Sequence, residues 1–202
     1  MLIVLTGPSG CGKSTILRHV LKDLRNVRFS VSHTTRPRRP SEVEGRDYYF
    51  IPTTEFRRMA ARNQFLEWAE VHGHYYGTSK KEVASKTRSG DLILDLDVQG
   101  ARSLRERHSD AVFVFILPPG AAELRRRLQD RGEDDPAAIR RRLINAKREI
   151  REANSFDYII VNDRLDRAVL ELEAIVLSNR CRANVRRREI QTIMKSFTSS
   201  TR

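Results

Sequence analysis

Apolar and polar positions along this chain switch repeatedly between two periods. Leu2, Ile3, Val4 and Leu5 form an unbroken apolar run, the pattern of a strand buried on both faces. Beyond a glycine-rich break, Ile16, Leu17, Val20, Leu21 and Leu24 recur at helical spacing and predict one apolar helix face. Residues 27–32 alternate as a short strand, and 54–62 read as a short helix. Aromatics crowd between glycines over 45–79, which predicts a small twisted antiparallel sheet. Residues 80–89 read as a helix stopped by Gly90, which returns the chain to an apolar strand over 91–97. Another buried strand over 111–117 is closed by Pro118-Pro119-Gly120. Helices follow over 121–131 and 136–155 across a Gly/Pro turn, then a last strand over 158–161 and a covering helix over 165–179. The tail from Arg180 is basic, then rich in Ser and Thr, and is expected to fray at its end.

Strands alternating with helices imply an α/β fold: a parallel sheet of about five strands, helices on both faces and right-handed crossovers. Segments 33–80 and 120–145 interrupt the alternation as insertions, leaving 1–32, 81–119 and 146–202 for the core. The 202 residues suffice for one sizeable core. No apolar run approaches the length of a membrane span, and residues 1–5 lack the basic segment of a signal peptide. With only Cys11 and Cys181, neither a disulfide framework nor a metal pair is expected. These features together predict a soluble, cytoplasmic protein without a membrane partner.

The break after the first strand carries the chemistry. Gly7-Pro8-Ser9-Gly10-Cys11-Gly12-Lys13-Ser14 spells G-x-x-x-x-G-K-S between a strand and a helix, a phosphate-binding loop followed by Thr15. Its glycines let backbone N–H groups converge on anionic oxygens at a helix N-terminus. Lys13 can reach the β- and γ-phosphates of a nucleotide, and the Ser14 hydroxyl is placed for Mg²⁺. Asp95, at the end of a predicted parallel strand, can order the same ion. Arg36, Arg38 and Arg39 sit in a Pro-interrupted segment that reads either as a clamp for a second phosphate or as a solvated basic loop. Tyr48 and Tyr76 could turn hydroxyls toward such a phosphate, and Glu67, set between apolar neighbours, needs a donor partner. The helices over 121–155 are laden with arginine and read as a flap from which a few side chains reach transferring phosphates. A net charge of +12 suits either a cleft for two phosphorylated substrates or non-specific binding of nucleic acid.

From Gly7 to about Leu177 the chain resembles the guanylate kinases, a family of nucleoside monophosphate kinases. Beside the glycine loop, the resemblance rests on Phe29-Ser30-Val31-Ser32-His33-Thr34-Thr35-Arg36, Gly45-Arg46-Asp47-Tyr48, Phe65-Leu66-Glu67-Trp68-Ala69, Tyr75-Tyr76-Gly77-Thr78, Leu94-Asp95-Leu96-Asp97-Val98-Gln99-Gly100 and Ile160-Val161-Asn162-Asp163. It implies phosphoryl transfer from MgATP to GMP, with dGMP as a further acceptor, and makes 33–80 a GMP-binding insertion and 120–145 a helical lid. The loop Gly7 to Thr15, with Arg127 and Asn162, would bind ATP, and Ser14 and Asp95 would hold Mg²⁺. Ser32, Arg36, Arg39, Tyr48, Glu67, Tyr76, Thr78 and Asp97 would bind GMP, the four groups Glu67, Asp97, Ser32 and Thr78 reading the base. Lys13, Arg39, Arg131 and Arg142 would act on the transferring phosphoryl group. One departure stands in the basic loop, where the family pattern Thr-Thr-Arg-x-Pro-Arg is replaced by Thr34-Thr35-Arg36-Pro37-Arg38-Arg39. The residues alone leave three rivals open: a kinase of a phosphorylated sugar, a non-catalytic binding module, and a nucleic-acid-binding protein. No specific nucleic-acid partner is expected, and the chain reads equally as a monomer or a homo-oligomer.

Overall fold

The structure, a computed structural model, describes residues 1–71, 73–87, 90–130 and 135–199. In chain order the elements are β1 (Leu2–Thr6), α1 (Lys13–Asp23), β2 (Val27–Ser30), β3 (His33–Thr34), β4 (Tyr49–Phe50), α2 (Thr53–Ala61), β5 (Phe65–Val71) and β6 (His74–Ser79). They continue as α3 (Lys80–Thr87), β7 (Asp91–Asp95), α4 (Val98–Arg105), β8 (Val112–Leu117), α5 (Ala121–Asp130), α6 (Pro136–Arg151), β9 (Tyr158–Val161), α7 (Leu165–Arg180) and α8 (Arg187–Ser199).

The main sheet is parallel throughout, in the order β2-β7-β1-β8-β9. Its apolar strands sort their side chains strictly by parity, as the two-residue period of a strand requires. Ile3, Leu5, Ile93, Val114 and Ile116 face one layer and pack on Ile16, Leu17 and Val20 of α1 and Leu172 and Val176 of α7. Val4, Leu92, Leu94 and Phe113 face the other and pack on Ala101 and Leu104 of α4. Helices therefore cover both faces, and β1 lies in the middle, with the loop that follows it at the carboxyl edge where ligands gather in such sheets.

The second sheet runs β4-β3-β6-β5. Its floor is aromatic: Phe56 of α2 stacks on Phe65 at 4.4 Å and on Tyr75 at 5.4 Å. An all-antiparallel sheet was expected, but β3 and β4 pair in parallel. The intervening stretch 35–48 is long enough to carry the chain back to the starting end, as a parallel pairing demands.

Three boundaries also differ from the sequence reading. The alternating stretch 27–32 is divided, since β2 belongs to the main sheet and β3 to the small one. The strand read over 91–97 ends at Asp95, because the Asp97 carboxylate turns back to accept from the Gly100 N–H at 2.8 Å and caps α4. The helix read to residue 155 ends at Arg151, followed by a 3₁₀ turn at Ala153–Ser155. Beyond the covering helix, the tail read as basic, then Ser/Thr-rich and fraying at its end, contains α8. Ile190, Ile193, Met194 and Phe197 give it an apolar face at helical spacing, with all four exposed.

Replacing Leu94, fully buried between β1 and α4, by alanine should lower stability by about 2–5 kcal/mol. Urea unfolding of the two proteins measures the difference.

Candidate active site

The loop Gly7–Ser14 leaves β1 and turns directly into α1. Gly12 sits at the helix N-cap in the left-handed region, at φ 102°. A side chain there would strike the Asn162 amide, and one at Gly7 would strike the Ile116 carbonyl. The turn is pinned within itself by the Cys11 N–H donating to Pro8 O at 3.1 Å. It is also pinned from outside, where the Cys11 carbonyl accepts from Asn162 Nδ2 at 2.7 Å and Arg127 Nη1 at 3.2 Å. Pro8 and Cys11 are buried, while Ser9, Ser14 and Thr15 are exposed at the mouth. Burial pushes the Cys11 thiol up, so it packs as a neutral group.

Lys13 donates to the Gly7 carbonyl at 2.5 Å and lies 3.8 Å from Asp95, whose backbone pairs with Leu5 of β1. Burial raises the pKa of Asp95, an effect opposed by Lys13 and reinforced by Asp97. Glu149 of α6 faces the same lysine. Burial raises its pKa too, with Lys13 lowering it and Asp97 raising it. One ammonium thus stands among several carboxylates, a combination that favours the arrival of further positive charge.

A second polar pocket lies where β5 and β6 meet the start of α4. Glu67 pairs across the strands with Thr78, and its Oε1 accepts the Thr78 N–H at 3.0 Å. The Thr78 and Ser32 hydroxyls are 3.3 Å apart. Gly100 shows how near Asp97 comes, since a Cβ on it would lie 2.6 Å from Glu67 Oε2 and 3.0 Å from Asp97 Oδ1. Four polar groups from four segments are therefore held together, with Glu67, Ser32 and Thr78 buried. Burial and the neighbouring Asp97 push Glu67 up to about 7 against the hydrogen bonds from Thr78.

The rim of this pocket is basic and aromatic. Arg36 lies over the Tyr48 ring at 5.6 Å, Tyr48 meets Tyr76 edge-on at 5.9 Å, and Arg36 also hydrogen-bonds Tyr76. The Tyr48 hydroxyl is raised chiefly by burial and next by Asp95, so this rim and the Lys13 cluster face one another. Arg39, half-buried, enters the rim through its backbone N–H, which donates to Glu42 Oε2 at 2.9 Å.

The arginine-rich helices pack against the glycine loop. Leu124 and Leu128 of α5 lie under Gly10 and, with Ala146, form a small separate core. Arg127 donates to the Asn162 carbonyl at 2.9 Å, and Arg142 donates to Ser9 Oγ at 2.8 Å. Helix α6 continues unbroken past residue 145. Arg131 and the turn 132–134 lie outside the described residues, as do Arg88 and Ser89 of the helix read over 80–89.

Lys13, Ser14, Asp95, Arg127, Arg142 and Asn162 thus surround the loop, whereas Ser32, Arg36, Arg39, Tyr48, Glu67, Tyr76, Thr78 and Asp97 surround the second pocket. The sequence reading did not single out Glu42, Gly100 or Glu149. Glu149 was legible, seven residues after Arg142 and hence on the same helix face. Glu42 and Gly100 act through long-range contacts that no local spacing reveals.

A glycine loop of the phosphate-binding pattern at the carboxyl edge of a parallel sheet, beside a second pocket of buried polar groups with a basic rim, is the arrangement of a P-loop kinase of phosphorylated small molecules. Residues 1–179 match the family model described as guanylate kinase. The chain is 52% identical over 183 residues to the guanylate kinase of Symbiobacterium thermophilum, covering 90% of this chain and 87% of that protein. It is 49% identical to the guanylate kinase of Geobacter sulfurreducens, with 90% of each covered. The crystal structure of guanylate kinase from Anaplasma phagocytophilum superposes with a TM-score of 0.75 at 32% identity, over 90% of this chain and 87% of the other. The chain belongs to the guanylate kinase family.

The raised pKa of Glu67 has a consequence for stability. Its folded pKa of about 7 lies above the ordinary value of 4.5, so its contribution is full below the ordinary value and is lost as pH rises through about 7. Glu67→Gln should therefore be more stable than the parent near pH 8, by on the order of 1–3 kcal/mol, with the gap closing toward pH 5. Unfolding midpoints at the two pH values test the sign.

Proposed function

We infer that this protein transfers the γ-phosphoryl group of ATP to GMP, giving ADP and GDP. One observation carries the reading: an intact phosphate loop faces a pocket whose buried groups pair with the donor and acceptor pattern of guanine. Guanine offers N1–H and N2–H₂ as donors and O6 as acceptor. Glu67 and Asp97 take the donors, and Ser32 and Thr78 serve O6. Adenine would leave these buried groups unpaired, which a polar site penalises heavily. The same four groups have no use in a sugar-phosphate kinase, and a non-catalytic module would not need an intact glycine loop. Because the base readers and phosphate ligands address atoms that dGMP shares, dGMP is proposed as a second acceptor.

Arg36, Arg39, Tyr48 and Tyr76 hold the acceptor phosphate. That phosphate is already anionic at neutral pH, with a second pKa near 6, so no general base is required. What the reaction needs is neutralisation of charge and in-line placement. The loop amides and Lys13 hold the β- and γ-phosphates; Arg142, and by family resemblance Arg131, act from the lid. Arg127 and Asn162 border the adenine. The donors suited to Mg²⁺ are hard oxygens, Ser14 and Asp95. Among the described residues no group of three or more His, Cys, Asp or Glu could hold a metal; an ion at Ser14 and Asp95 would be completed by phosphates and water. When bound, Mg²⁺ neutralises charge on the phosphate oxygens. In this reading 33–80 is the GMP-binding segment, 120–145 the lid and the remainder the core. No helix among the described residues is long and apolar enough to cross a membrane. With Cys11 and Cys181 both free, a cytoplasmic location is proposed.

Lys13→Ala should lose on the order of a thousandfold in kcat while remaining folded. Steady-state rates with circular dichroism check this, and retention of a tenth of the activity would contradict the role. Offered GMP, AMP and ribose bisphosphate with MgATP, the protein should turn over GMP fastest. Its KM for GMP should also rise as pH falls below about 7, where Glu67 takes up a proton and can no longer accept both guanine donors. Glu67→Gln should flatten that profile between about pH 6.5 and 8, a range that lies above most of the phosphate's own titration near 6.

A further inference from the structure

The loop between β3 and β4 holds a carboxylate for which phosphoryl transfer has no evident use. Glu42 Oε1 accepts from Arg36 Nη2 at 2.6 Å, and Oε2 accepts from the Arg39 N–H at 2.9 Å. Both side chains of the Arg36–Glu42 pair are only 14% exposed. Charge alone argues against an acid in this place, since an anion beside a pocket for a phosphate dianion repels the ligand. Geometry supplies a reason for it. One carboxylate ties the Arg36 side chain to the Arg39 backbone, closing the turn through Pro37 and Pro40 at the point where the loop departs from the family pattern. The Arg36 guanidinium is fixed on its other sides by the Pro37 carbonyl at 2.7 Å and by the faces of Tyr48 and Phe50. Burial would raise the pKa of Glu42, but the hydrogen bonds from Arg36 and Arg39 outweigh it and hold the carboxyl below its usual range.

We propose that Glu42 is a positioning residue for the acceptor phosphate, holding Arg36 and the Arg39 backbone in the arrangement that receives it. The proposal rests on the reading of Arg36 and Arg39 as ligands of that phosphate. An arginine immobilised in advance surrenders less side-chain freedom when the phosphate arrives. That gain exceeds the repulsion from the carboxylate, whose charge is largely met by the two arginines it joins.

The test compares the parent protein with Glu42→Ala, Glu42→Gln and Arg36→Ala. Calorimetry measures GMP and guanosine binding, and steady-state kinetics separates KM from kcat. Glu42→Ala should weaken GMP binding and raise its KM on the order of ten- to a hundredfold. At saturating GMP, kcat should stay within about threefold, with guanosine affinity and the KM for MgATP unchanged. Glu42→Gln, which keeps an accepting carbonyl, should recover a large part of the loss. If Glu42→Ala binds GMP as tightly as the parent or tighter, or weakens guanosine equally, the proposal is overturned. If Arg36→Ala fails to weaken GMP selectively over guanosine, the underlying reading of the clamp fails instead. Should Glu42→Ala not fold, Glu42→Gln and Glu42→Asp carry the comparison. A charge-neutral glutamine that tightens GMP would then refute the positioning role.

Discussion

The structure depends on a backbone turn that leaves the centre of a parallel sheet with no room for side chains. At Gly7 the chain passes against the Ile116 carbonyl of β8, and at Gly12 it enters α1 in a left-handed conformation under Asn162. Only glycine satisfies both conditions without displacing a neighbouring strand or its loop. Everything else about the nucleotide site follows from that path. The start of α1 is aimed outward, Lys13 folds back over the Gly7 carbonyl, and the Cys11 carbonyl becomes the fastening point for Asn162 and Arg127. The loop is held from β9 and from α5 as well as from its own strand.

The second organising force is the cost of burying charge. Asp95, Asp97 and Glu149 are drawn out of water around a single lysine, with Glu67 beside Asp97, and burial raises the pKa of each of the four. Such a cluster is not an aid to folding, because paired charges removed from water recover little of their hydration. It is better understood as an unsatisfied demand for donors and cations. In the proposed reading, guanine would meet the first at Glu67 and Asp97, and Mg²⁺ the second near Asp95. Binding energy that is spent relieving such a demand discriminates between ligands, because a ligand lacking the right donors leaves the demand in place.

How far the sequence foretold this depends on the range of the interaction concerned. The five main strands and the helices around them were legible because each is a local pattern: Leu2 to Leu5 and residues 111–117 are too apolar to be anything but buried strands. The phosphate loop was legible because its spacing is set within eight residues. The base pocket was not assembled by periodicity, since Ser32, Glu67, Thr78 and Asp97 come from distant segments, and only family resemblance gathered them. Asp97 was misplaced in a strand because the same short carboxylate that ends an apolar run can also cap a helix. The parallel pairing of β3 with β4 was missed because it depends on the path of the loop 35–48, which proline and arginine content alone do not fix. Helix α8 was hidden by composition, although Ile190, Ile193, Met194 and Phe197 carry its period.

The connection between the two sheets is very short. Val31 and Ser32 alone separate β2 of the main sheet from β3 of the small one, and on return β6 ends at Ser79 where α3 begins at Lys80. Ties of this length leave the small sheet little freedom beyond rotation about the line that joins them. One tie contains Ser32, and the other adjoins Thr78. The accuracy with which an incoming nucleotide is presented to its partner is thus set in part by chain connectivity, much as a short hinge keeps a door true in its frame.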